Sequence, residues 1–219
     1  MAFLDPLITR MLQLLLVPYY HREVIWVILP VIFGLVMLQM YFGKHRTELL
    51  GWNTAFGNSI SLMWVTVMLF RYIHENFGFV RALVDPLVKN YLIVIYALGI
   101  YTLLLIFHNY MHSLPQKIAF FLSSSVPTNG IAYFATVIVM GMVPLDWLTL
   151  VAVLVVFLFV WLVFTLYKNS ITPSKSALKT LKIHEEEEKK KKTVVKRKRT
   201  IALNKLKLVV KKTQFRKIL

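Results

Sequence analysis

The run WLTLVAVLVVFLFVWLVFTLY at 147–167 contains no Asp, Glu, Lys or Arg. As an α-helix it is about 31 Å long, the thickness of a bilayer's hydrocarbon core. In hydrocarbon every backbone N–H and C=O must find a partner within the protein, and a helix does this within a single segment. Trp147 at one end and Tyr167–Lys168 at the other fit interfacial anchors. The chain is 58% hydrophobic, against roughly 45–50% for a soluble domain, and the excess lies in runs of this kind. The expected fold class is an all-α, polytopic integral membrane helix bundle.

Three more spans are expected at 24–42, with a kink at Pro30, at about 53–73 and at 91–107. The stretch from Gln116 to Pro144 is too long for one ordinary span and too short for two. Ser123, Ser124 and Ser125, with Pro127, Asn129 and Gly130, interrupt it. The spacing predicts a short helix at about 116–124, a polar break, and a compact span at about 130–145, with a re-entrant pair as the alternative. This makes five spans, one of them broken or re-entrant. Upstream, residues 6–17 are apolar but carry Arg10 and Gln13, and read as a helix lying in the interface with Asp5 as N-cap. The domains are thus 1–23 (interfacial amphipathic helix), 24–169 (transmembrane bundle) and 170–219 (polybasic tail).

Charge is unevenly spread. Residues 174–219 hold 17 Lys and Arg against four Glu, while residues 1–173 hold nine against six acids, so +13 of the net +16 belongs to the last fifth of the chain. A segment of that charge is costly to translocate, which places the C-terminus in the cytoplasm of a multi-pass protein, most simply in the cell membrane. Glu185–Glu188 precede Lys189–Lys192 by four residues each, the favourable order for helical ion pairs, so part of the tail reads as a basic helix. The candidate polyanion-binding residues are Lys189, Lys190, Lys191, Lys192, Lys196, Arg197, Lys198, Arg199, Lys205, Lys207, Lys211, Lys212, Arg216 and Lys217. Anionic lipid headgroups and nucleic acid, such as ribosomal RNA, both suit this pattern. The tail's single aromatic, Phe215, argues for backbone contact rather than base stacking.

The second span opens on GWNTAFGNSIS. On a helix Asn53, Thr54, Gly57, Asn58 and Ser61 share one arc, and Trp52, Phe56, Ile60 and Met63 lie opposite. Small and polar residues arranged this way serve helix–helix packing, at about 0.6 kcal/mol per side-chain hydrogen bond on average. The alternative is the lining of a polar cavity, shared with Ser125, Asn129 and Gly130 of the broken span.

Few residues point to catalysis. His108 and His112 stand four apart, a spacing that can chelate a metal on one helix face, but no Glu lies between them as in HExxH. They are weak metal candidates, flanking Tyr110 at a span end. The six acids outside the tail all fall at span ends or in loops, where an ion-coupling carboxylate is not expected. There are no cysteines, and no GxSxG, Walker or dinucleotide-binding pattern is present.

The functional expectation is a non-enzymatic membrane tether or accessory subunit without a cofactor. Its bundle would hold the basic arm at the bilayer to meet an acidic partner, with membrane lipid, nucleic acid or the ribosome, and other membrane subunits as partners. The alternative is a small transporter or channel component using the polar stripe and the break. A membrane enzyme ranks third.

Overall fold

The computed structural model describes residues 4–45, 51–174 and 178. The described residues form eight helices and no strand: α1 (Leu4–Tyr20), α2 (Arg22–Lys44), α3 (Trp52–Phe77), α4 (Phe79–Val84), α5 (Pro86–Met111), α6 (Gln116–Leu122), α7 (Ser125–Met140) and α8 (Trp147–Ser170). Helices α1 to α8 belong to one compact unit, which ends at Thr172. The tail's candidate residues, Lys189 to Lys217, lie outside the described residues.

Local chemistry explains the helix boundaries. Pro86 opens α5 at a position where its missing N–H costs nothing, and the Asp85 side chain accepts from Leu87 N at 3.0 Å. α5 ends at Met111, because His112 takes up left-handed backbone at φ 51°. Gly78, at φ 71°, turns the chain between α3 and α4. Asp146 caps α8, accepting from Thr149 N at 2.7 Å and from Thr149 Oγ1 at 2.8 Å.

Helix α7 is the central element. Twelve of its sixteen residues are buried, and it packs against α1, α2, α3, α5, α6 and α8. Helices α3 and α5 pack on each other as well as on α7, and α1, α2 and α8 pack on one another. Two sets of contacts fix the ends. At one, Tyr72 Oη donates to Met140 O and Tyr91 Oη to Val143 O, joining the end of α3, the start of α5 and the end of α7. At the other, Gln39 of α2, Asn58 of α3 and Asn109 of α5 converge on the α6–α7 junction, and Lys168 of α8 lies over the Phe42 ring of α2.

Among the described residues three helices are long and apolar enough to cross a membrane: α2, α5 and α8. Their outer faces are apolar and exposed; Leu158 and Phe159 of α8 stand at 54% and 64%. Such faces are compatible with a hydrocarbon surround and ill suited to water. The region expected to span at 53–73 is helical, but its Asn, Thr and Ser residues set it apart from those three. α2 runs unbroken through Pro30.

The break falls at Ser123–Ser124, at the front of the expected polar interruption, so α7 runs from Ser125 to Met140 rather than from about 130 to 145. Pro127 sits in the first turn of α7, where its lack of an N–H removes no helical bond. Thr128 N closes the turn onto Ser124 O at 3.1 Å. Gly130 is inside the helix, against Phe157 of α8. At sixteen residues α7 is about 24 Å long, short of a typical hydrocarbon core. The N-terminal helix extends past the expected 6–17 to Tyr20 and buries Leu14 and Val17. Its opposite face, with Ile8, Leu12 and Leu15, is exposed.

Candidate functional site: a buried polar junction and the cavity beside it

Asn109 is 2% exposed and is the most connected polar side chain in the bundle. Its Nδ2 donates to Ser123 Oγ (2.7 Å), Ser59 Oγ (2.9 Å) and Ala55 O (3.3 Å). Its Oδ1 is the one buried side-chain polar atom without a hydrogen-bond partner among the described residues. Two further carboxamides close the junction: Asn58 Nδ2 donates to Ser123 O at 2.8 Å, and Gln39 Nε2, 7% exposed, to Ser125 Oγ at 2.9 Å. Four helices are thereby joined at one break in the chain. Where helix ends leave backbone groups unpaired, side-chain amides are the means of satisfying them without water.

The predicted stripe on α3 is only partly in this contact. The buried arc of α3 is Ala55, Ser59, Leu62, Val65, Thr66, Leu69 and Ile73, about a third of a turn from the centre of the predicted one. Asn53 is exposed, Thr54 and Gly57 are half-buried, and Asn58 stands at the shared edge. Ser61 is exposed and donates to Gly57 O of its own helix at 3.1 Å. The reason is bulk: the apolar residues that follow, Leu62 and Leu69, set which face turns inward, and the short polar residues upstream follow that phase.

Asn58 and Ser61 do meet the broken region, across a cavity of about 460 Å³ between α2, α3 and α7. Thr128 and Asn129 form its α7 wall, and Pro30 and Gly34 its α2 wall. Gly130 and Ser125 do not line it. Asn129 Nδ2 donates to Ser125 O at 2.8 Å and Thr128 Oγ1 to Ser124 O at 2.8 Å. The sequence reading missed Gln39 and Asn109. The signal for both is a carboxamide within an otherwise apolar helix.

Those histidines do not share a helix face. His112 has left the helix and stacks on Trp52 with ring centroids 4.2 Å apart, while His108 Nδ1 lies 2.6 Å from Ser113 Oγ. The chelating geometry that the four-residue spacing implied needs a helix continuing through His112. No cluster of three or more His, Asp or Glu able to hold a metal occurs among the described residues.

Charge separates the two ends. Arg10 pairs with Asp146 at 2.9 Å, Arg71 with Glu75 at 2.7 Å and Arg81 with Asp85 at 3.8 Å, all at or beside the end where α3 and α7 finish. Lys44, Lys117 and Lys168 belong to helix ends at the junction side, where no acid occurs among the described residues. The Asp146 carboxyl is held below its ordinary 3.8, first by the Thr149 N–H and then by the Thr149 hydroxyl, with Arg10 adding to both.

No known protein family, curated protein or solved structure matches the chain.

Proposed function

We propose that the protein is a non-enzymatic membrane tether or accessory subunit, with five crossings formed by α2, α3, α5, the α6–α7 pair and α8. It presents its polybasic C-terminal arm to an acidic partner on the cytoplasmic side. The observation that carries this reading is the net +13 of residues 174–219, which follow directly on α8, the most apolar of the helices long enough to cross a membrane. Lys and Arg next to spans are retained in the cytoplasm, and a basic segment there gains roughly 1 kcal/mol per residue near anionic headgroups.

A conducting path would need polar groups through the full membrane thickness. Those lining the cavity are confined to its junction end, which favours the tether over the transporter or channel component.

The test compares the full chain with one lacking 174–219, both in detergent, for binding to anionic vesicles and to ribosomal RNA. Binding that disappears with the tail supports the reading. If RNA is the partner and about eight phosphates are neutralised, log affinity falls with log salt at a slope near −7. Equal binding by both chains refutes it.

A further inference from the structure

We propose that the cavity between α2, α3 and α7 binds a neutral lipid whose head group is a free hydroxyl, of the diacylglycerol kind. This depends on the bilayer placement but not on the role of the tail. None of the residues lining the cavity is charged. Its four polar residues have largely spent their protons: the hydroxyls of Ser61 and Thr128 donate to Gly57 O and Ser124 O, and Asn58 and Asn129 each give an amide proton to a carbonyl of the break. What remains is two carboxamide oxygens, hydroxyl lone pairs, one N–H on each amide and the indole N–H groups of Trp26 and Trp64. No described residue donates to either oxygen. A phosphate or carboxylate would sit here without a cation, and an ammonium without an anion, each at a high desolvation cost. A hydroxyl donates and accepts at once, and matches what is left.

The lining also changes with depth as a lipid does. Along α3, Asn58 and Ser61 lie about 9 and 14 Å from the junction-side end, whereas Trp64 and Met68 lie about 18 and 24 Å from it. Along α2 the wall from Gly34 to Trp26 is apolar throughout. A lipid of the junction-side leaflet thus meets polar groups at its glycerol level and apolar groups along its chains. Access is lateral: Trp26 and Trp64 line the cavity yet are 78% and 65% exposed, so its wall continues into the lipid-facing surface. Its volume falls within the roughly 300–1,000 Å³ of small-molecule sites.

The full chain in phosphatidylcholine nanodiscs, photolabelled with a diazirine-acyl diacylglycerol and separately with the phosphatidic acid of the same chains, tests the site. Label from diacylglycerol should concentrate on the peptides of the α2 and α3 walls and exceed that from phosphatidic acid by about tenfold. Gly34→Leu fills space where a Cβ meets nothing within 4 Å, and should lower labelling about tenfold with an unchanged melting temperature. Ser61→Leu intrudes from the opposite wall and should do the same, so that loss of folding in one variant leaves the other to decide. Label spread evenly over the outer faces, equal capture of phosphatidic acid, or labelling unchanged in a folded variant overturns the proposal.

Discussion

Asn109 of α5 donates to Ser123 Oγ at 2.7 Å, and this contact fixes a mid-chain helix to the break between α6 and α7. The two protons of the Asn109 amide are shared among three acceptors, of which the Ala55 carbonyl of α3 also accepts from Ser59 Oγ. Asn109→Ala should therefore cost about 1–2 kcal/mol, more than the ~0.6 kcal/mol of an average membrane hydrogen bond. Asn58→Ala breaks one part-buried bond and should cost about half a kcal/mol. Asn53→Ala, at an exposed position, should cost nothing measurable. Thermal unfolding in detergent, followed by tryptophan fluorescence, gives the ranking Asn109, Asn58, Asn53.

The two glycines that the sequence grouped as packing residues should behave oppositely. A Cβ on Gly130 would lie 2.6 Å from the Phe157 ring, so Gly130→Val should force α7 and α8 apart and cost about 1–3 kcal/mol. A Cβ on Gly57 meets nothing within 4 Å, and Gly57→Ala should stabilise by up to about 1 kcal/mol through helix propensity. Equilibrium unfolding in mixed micelles measures both.

Asp146 gives a pH dependence. Its folded pKa lies below the ordinary 3.8, held there chiefly by the Thr149 N–H. Its contribution is therefore complete above the unfolded value and is lost as pH falls through the folded one. Asp146→Ala should cost about 1 kcal/mol at neutral pH, as for other N-caps. The gap between the two proteins should close as pH drops from about 4 downward. Acid titration of unfolding for the pair shows whether the curves converge.

What could be read in advance followed residue bulk and charge. The apolar runs that became α2, α5 and α8 announce themselves, because a stretch without charge long enough to cross hydrocarbon has few other uses. The polarity of the α3 entrance was equally plain, but not its phase: Leu62 and Leu69, further along, rotate Ser59 inward and Asn53 outward. The break was legible as a cluster of Ser, Pro, Asn and Gly. Its position was not, since Pro127 is as compatible with a helix's first turn as with a loop. Asn109 became visible only once α3, α5 and the junction were brought together, and the pairing of Arg71 and Arg81 with acids four residues on became clear with the helices that hold them.

The chain has no cysteine, so single introduced thiols report sidedness without background. Ser176→Cys places one in the basic tail that follows α8 in the sequence, and Lys89→Cys another in the first turn of α5. With a membrane-impermeant maleimide on sealed cells, the bundle account predicts labelling at position 89 from outside and at position 176 only after permeabilisation. Labelling at position 176 in intact cells, or equal labelling at both positions, would contradict it.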